Sequence, residues 1–236
     1  MRILITNDDG QHAQQLVPFV RWCRKLGEVT VVVPKVEQSG KSHSIDIRNP
    51  FEAKQVELAP DVTAWAVDST PADCVRIAVL GMQEKFDLVI SGINKGLNIG
   101  ADIMYSGTVA AASEAVNLGI PAVAVSTTWA NYPKATERLD EILEFFRRED
   151  LLSKHTLYNV NIPTEGEGIR ITRQGGPYFS DDYQKIGDCW QPNGVPVWED
   201  SQDDTLDTDA TMHGYITISP LTISRTDWEV YRKLTK

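Results

Sequence analysis

The chain opens "MRILITNDDG", residues 1–10. Ile3, Leu4 and Ile5 form an apolar, β-favouring run that gives way, one residue later, to Asn7, Asp8, Asp9 and Gly10. A strand without polar alternation is one buried on both faces, as in a parallel sheet covered by helices. In open sheets of that kind, ligands bind outside the carboxyl ends of the strands, which is where Asp8 and Asp9 fall. Two adjacent carboxylates repel, and burial raises the cost; a divalent cation removes that penalty. The alternative is a plain polar turn, since Asn, Asp and Gly are the usual turn formers.

The rest of the first two-thirds repeats the alternation. Further strands are expected at Glu28–Val33 ("EVTVVV", stopped by Pro34), Thr63–Val67 ("TAWAV"), 86–91 ("FDLVIS") and 121–126 ("PAVAVS"). Helices are expected between them. One spans Leu16–Leu26, with Pro18 in its first turn. A second starts at Thr70 as N-cap, with Pro71 first and Asp73 in the opening turn, and runs to about Leu80. "SGTVAAASEAVNLG" (106–119) reads as a small-residue helix stopped by Gly119, and 134–148 as a charged one. The expectation is an α/β, doubly wound, mostly parallel Rossmann-like sheet. After about residue 155 the pattern changes. Strands at 157–163, 168–174 and 214–221 lack long helices between them, residues 174–213 show little periodicity, and 226–235 reads as a short helix. Residues 1–155 are expected to be the catalytic core. Residues 156–236 are expected to be C-terminal strands with a β-hairpin or arm and an oligomerisation helix, not an independent domain.

Composition narrows the function. At 236 residues and 42% hydrophobic, the chain can bury a sizeable core. Its formal net charge of −10 argues against a nucleic-acid backbone or an anionic membrane as partner. Cys23, Cys74 and Cys189 are widely spaced with no C-x-x-C, which disfavours a disulfide framework or a zinc site. The N-terminus is too short in apolar residues for a signal-peptide core, and no run reaches the ~18 residues of a membrane span. A reducing, cytoplasmic setting is the expectation.

Two more loops should share the edge of Asp8 and Asp9. "EQSGKSHS" follows the second strand and "GINKGLNIG" follows the strand ending at Ser91; they offer Ser39, Asn94 and Asn98 as neutral donors. Two carboxylates with hydroxyl and amide oxygens form a hard, all-oxygen set that suits Mg²⁺, Mn²⁺ or Ca²⁺. Gly96 and Gly100 let backbone amides approach an anion, and Ser106, Gly107 and Thr108 open a helix whose N-terminus favours negative charge. The bland alternative is a flexible loop and an ordinary N-cap. Neither a Walker loop nor a dinucleotide G-x-G-x-x-G occurs.

At these residues the chain resembles the SurE family, the stationary-phase survival proteins, which are metal-dependent phosphatases acting on nucleoside monophosphates. The matching stretches are "ITNDDG" (5–10), "QSG" (38–40), "TPADCV" (70–75), "DLVISGINKGLNIG" (87–100), "YSGTVAAASEA" (105–115), "LGIPAVAVS" (118–126), "NVNIP" (159–163) and "GYITISPL" (214–221). The resemblance implies one divalent cation per subunit, Mg²⁺ or Mn²⁺, on Asp8, Asp9, Ser39 and Asn94. It implies phosphate held by Asn98, Ser106, Gly107 and Thr108, and a homodimer or homotetramer that exchanges C-terminal elements. Ala13-Gln14-Gln15 and Ser69 depart from the family's usual Ala-Pro-Gly-like turn and Gly.

The expected reaction is phosphomonoester hydrolysis, with Asp8 orienting or deprotonating the nucleophile or, alternatively, forming an aspartyl-phosphate. A non-catalytic nucleotide- or metal-binding module on the same scaffold is the competing reading. A haloacid-dehalogenase-type phosphatase would need Asp-x-Asp, and here the two are adjacent. His43 could protonate the leaving oxygen and His12 lies close behind the pair, but local hydrogen bonding is the simpler role for both. Lys95 reads as a phosphate contact or a solvated lysine, and Cys74 as a small buried hydrophobe. Trp190 and Trp198 read as cover for exposed sheet surface, with base stacking as the alternative.

Overall fold

The structure is a computed structural model and describes residues 1–166, 168–180 and 182–235. The opening strand, β1 (Arg2–Thr6), is followed by α1 (Leu16–Cys23), β2 (Glu28–Pro34), β3 (Ala53–Ala59) and β4 (Val62–Val67). Next come α2 (Pro71–Arg76), β5 (Leu88–Lys95), α3 (Gly107–Asn117), β6 (Ala122–Thr127), α4 (Leu139–Arg148) and α5 (Leu151–Lys154). The chain closes with β7 (Leu157–Ile162), β8 (Ile169–Ile171), β9 (Tyr183–Ile186), β10 (Cys189–Pro192), α6 (Asp207–Met212), β11 (Ile216–Pro220) and α7 (Trp228–Leu234).

One nine-stranded sheet runs in the order β3-β4-β2-β1-β5-β6-β7-β11-β8. Its centre is parallel, with β1 between β2 and β5 and with β6 joining β5 to β7. Two antiparallel pairings, β3 on β4 and β11 on β7, flank it. Alternate residues of β1 feed the two faces: Ile3 and Ile5 pack with Phe19, Val20 and Ile142, while Leu4 packs with Cys74, Val109 and Ala112. Both cores are continuous, so β1 has no solvent face, as the unbroken apolar run requires. Cys74 is buried on the second face, in the hydrophobic role its setting suggests.

Some elements differ from expectation. The first helix stops at Cys23 rather than Leu26. The second gives way at Ile77 to a wider turn through Gly81, so only Pro71–Arg76 is α-helical. The charged helix begins at Leu139, after a separate short turn at Tyr132–Lys134 built on Pro133. β3 was not expected: "AKQVELA" exposes Lys54, Gln55 and Glu57, and charge along an outer strand is what protects a sheet edge. The aperiodic stretch contains the β9–β10 hairpin, every residue of which is exposed, and the buried helix α6. Trp190 sits on that hairpin with Lys185 over its ring, and the Trp198 indole donates to Asp209 at 2.8 Å. Trp190 therefore does not cover the sheet, and Trp198 is tied to α6.

Candidate functional site

The carboxyl ends of β1, β5 and β6 meet the N-terminus of α3. Asn7 shapes the first turn: its side chain both accepts from Gly10 N and donates to Gly10 O, each at 3.1 Å. Gly10 has φ +83°, and a Cβ there would lie 2.9 Å from the Val36 carbonyl carbon. Glycine thus lets the 35–40 loop close over the turn, fixed by Gln38 N donating to Asp8 O at 2.7 Å.

Asp8 is buried and held by one residue. Thr108 N donates to Asp8 Oδ2 at 3.0 Å and Thr108 Oγ1 to Asp8 Oδ1 at 2.5 Å. Asp9 accepts from Lys95 N at 3.0 Å. Burial pushes the Asp8 carboxyl above its ordinary range against these hydrogen bonds. Burial, followed by the charge of Asp8, pushes Asp9 up to about 7, and Glu37 adds to both. Tyr132, buried next to the pair, is pushed up to about 12 by burial and then by the Asp9 charge. Neither Asp8 nor Asp9 has an ion-pair partner among the described residues. The ammonium of Lys95, the nearby cation, lies over the Trp129 ring at 4.4 Å.

A divalent cation fits this donor set. Two adjacent carboxylates, offset only in part by the Lys95 charge, lie near a third acid, Glu37, and Asn94 spends its amide nitrogen on Gly96 O at 2.8 Å, leaving its oxygen without a hydrogen-bond donor among the described residues. Among the described residues no group of three or more His, Cys, Asp or Glu side chains is gathered for a metal; the donors at this edge are oxygens, two carboxylates and the Asn94 amide, which suit a hard cation. Ser39 lies one residue beyond the Gln38 anchor but is exposed, and its hydroxyl donates to Glu37 at 2.7 Å.

The anion-binding residues are less uniform. Ser106 caps α3, its Oγ accepting from Val109 N at 3.1 Å. Gly107 packs so tightly that a Cβ would lie 2.9 Å from Asp8 Cβ and 3.1 Å from Pro71 Cγ. Thr108 directs its amide and hydroxyl to Asp8, so it links the carboxylate to the helix N-terminus. Asn98 is woven into the sheet: its Nδ2 donates to Ser126 Oγ, its N to Asn161 Oδ1, and its carbonyl accepts from Asn159 and Asn161.

Several residues here were not singled out from the sequence. Asn159 and Asn161 are polar positions inside a buried strand, and the alternation in "NVNIP" was their signal. Asp207 is buried and accepts from Gly100 N and Gly175 N, clamping the Gly-rich loop. Glu37 and Tyr132 left no local signal. His43 pairs with Glu114 at 2.8 Å, and Glu114 also pairs with Arg76, which is the local hydrogen-bonding role. His12 is exposed. The departures also find partners: Ser69 donates to Asp73 at 2.5 Å, and Gln15 Nε2 to Pro133 O at 3.1 Å.

The raised carboxyls fix a pH dependence. Between the ordinary Asp value of 3.8 and about 7, the folded metal-free protein keeps a proton on Asp9 that the unfolded chain has lost. Metal-free stability therefore falls as pH rises through that window. Cation binding needs the ionised pair, so its stabilisation grows over the same window. The melting-temperature gap between Mn²⁺-loaded and EDTA-treated protein is expected to widen from about pH 5 to about pH 7.5. Differential scanning fluorimetry checks it, and a gap that narrows would contradict this account of Asp9.

A family model described as "Survival protein SurE" matches residues 3–181. The 5'-nucleotidase SurE of Thermosipho melanesiensis is 34% identical, with 99% of this chain and 96% of that protein covered. The 5'-nucleotidase SurE of Syntrophomonas wolfei is 36% identical over 99% and 94%. The crystal structure of the SurE protein from Aquifex aeolicus superposes with a TM-score of 0.76 at 31% identity, covering 100% of this chain and 98% of that one. With matches of this extent, and with the Asp pair, the Gly-rich loop and the α3 start gathered at one sheet edge, the chain belongs to the SurE family.

Proposed function

We propose that this chain is a metal-dependent phosphatase that hydrolyses nucleoside monophosphates to nucleoside and phosphate. The observation that carries the reading is the Asp8–Thr108 contact, which joins the adjacent carboxylate pair to the N-terminus of an eleven-residue helix. Cation and anion subsites would then share one wall. The relatives' printed activity, 5'-nucleotidase, supports the substrate class.

In this reading Asp8, Asp9, Asn94 and Ser39 hold one divalent cation, Mg²⁺ or Mn²⁺. When bound it supplies Lewis-acid charge at the phosphoryl group. Ser39 would first have to exchange its bond to Glu37 for the cation. Asp8 orients the attacking nucleophile or takes its proton, its own position fixed by the two Thr108 bonds. The Gly107 amide, together with the Ser106 hydroxyl, which can still donate while it accepts from Val109 N, would hold phosphoryl oxygens at the positive end of α3, and Thr108 would act there through Asp8. Asn98 would also reach phosphate with the amide hydrogen that its bond to Ser126 leaves over, while its backbone keeps the Gly-rich loop in place through Asn159 and Asn161.

Residues 1–155 make up the catalytic core in this reading, while 156–236 add C-terminal strands to the same sheet together with an arm and helix through which copies of the chain associate as a homodimer or homotetramer. The fully exposed β9–β10 hairpin supports this, as does α7, which buries no side chain and exposes Trp228, Tyr231 and Leu234. Among the described residues no helix is long and apolar enough to cross a membrane; a cytoplasmic setting is part of the proposal. The net charge of −10 favours a small phosphate ester over a nucleic-acid polymer or a membrane as partner.

Hydrolysis of p-nitrophenyl phosphate and nucleoside monophosphates with Mg²⁺, Mn²⁺ and EDTA tests the function. Metal-dependent release of phosphate is expected, abolished by EDTA and restored by added metal. Nucleotide binding without turnover in any metal would favour a non-catalytic binding module instead.

A further inference from the structure

Trp129 lies immediately outside the carboxylate cluster and has no structural task that explains it. It follows β6 and is 69% exposed, so a large ring face is left to water. The Lys95 ammonium sits over its ring at 4.4 Å, and the same ammonium is 5.8 Å from the Tyr132 ring centre. Lys95 is also the residue whose backbone N–H binds Asp9, so one residue ties the indole to the acid pair. At the edge of the ring that carries the indole nitrogen, the position a Gly96 Cβ would occupy is 3.4 Å from that nitrogen and 3.8 Å from Asn94 Nδ2. Gly96, with φ +138°, is bonded through its N–H to Thr127 O at 2.8 Å, holding the loops after β5 and β6 together.

The ring is therefore fixed at the rim of the site, with a cation on one face. A ring covered on both faces could not be two-thirds exposed, so the other face is open. Aromatic side chains presented in this way bind planar, π-bearing groups by stacking, with little dependence on the hydrogen-bonding edge of the base. Resting on the phosphatase reading above, we propose that Trp129, braced by Lys95 and Gly96, is a specificity-determining residue that stacks on the nucleobase of the substrate. The preference it confers is for esters that carry a nucleobase over phosphate esters of plain sugars.

The test compares kcat/KM for adenosine monophosphate and for ribose 5-phosphate in wild type, Trp129→Ala and Trp129→Phe. The ratio of the two is expected to fall about tenfold in Trp129→Ala, mainly through the nucleotide's KM, and to recover in large part in Trp129→Phe. An unchanged ratio, or an equal fall for both esters, would overturn the proposal and leave Trp129 as a cover for Gly96. If wild type cleaves neither ester, the phosphatase reading fails on its own. Stacking is then decided by fluorescence titration with adenosine monophosphate: a quench present in wild type and lost in Trp129→Phe upholds it, and the same quench in both, or none in wild type, overturns it.

Discussion

Asp8→Asn is expected to lower metal-dependent phosphoester hydrolysis by about a thousandfold while leaving the fold in place. Asn has the shape of Asp, its Oδ1 can still accept from Thr108 N, and Thr108 Oγ1 can accept from the new amide where it now donates to Asp8 Oδ1. What disappears is one negative charge from a pair whose other member, Asp9, has its own ionisation suppressed by that charge. The Asp9 carboxyl should then move down toward its ordinary value, and the pair's cation affinity should drop. Hydrolysis assays across Mn²⁺ concentrations, with a melting curve in EDTA, measure both effects. The metal-free variant is expected to melt no lower than wild type, because a buried charge with a desolvation cost has been removed. A variant that keeps more than about a tenth of wild-type turnover would remove Asp8 from the chemistry.

Gly107→Ala is expected to cost about a hundredfold in turnover although the new methyl group is no nearer to solvent than the glycine was. Gly107 is a helical residue and needs no unusual backbone angle; the constraint is space. An added Cβ would lie 2.9 Å from Asp8 Cβ, 3.0 Å from Asp8 Oδ2 and 3.1 Å from Pro71 Cγ. Pro71 opens α2 and is buried, so the side chain free to yield is Asp8. Its displacement would break the paired bonds with Thr108 and pull the carboxylate off the helix N-terminus. Overpacking of this kind costs roughly 1–3 kcal/mol. Loss of activity should exceed what that destabilisation explains, with folded protein still visible by circular dichroism. Turnover within about threefold of wild type would show that the Asp8–α3 spacing is not critical.

The parallel core was legible because its strands are apolar throughout. Ile3–Ile5, Val31–Val33 and Ala122–Val125 cannot face water, so the sequence implies helices on both sides of them. The edge strand β3 escaped notice because its neighbours decide its state: Lys54 and Glu57 give no apolar face until β4 is beside them. α6 escaped for a different reason. Its Asp207 and Asp209 read as loop residues, yet both are buried, because Gly100, Gly175, Trp198 and Ser201 donate to them. The Asp207 partners Gly100 and Gly175 lie 107 and 32 residues away, and the Asp209 partners come from the irregular loop just before the helix, so no periodic pattern reveals either set.

The sequence alone determined the strand order of events at the front of the site: a buried strand, an Asp pair at its end, a Gly-rich loop and a capped small-residue helix. Local chemistry is sufficient for that, since strand burial, turn residues and N-caps are encoded within a few positions. The tertiary structure decided which of these groups act on one another. It turned Thr108 toward Asp8, tied Ser39 to Glu37 and Asn98 to β7, and set Lys95 between Asp9 and the Trp129 ring. Apart from the Ser39–Glu37 bond inside one loop, those contacts join residues from different elements of the fold: the end of β1 with α3, the loop after β5 with β7, and β5 with the loop after β6. Their energies come from burial and charge shared across the fold, and these exist only once the strands are side by side.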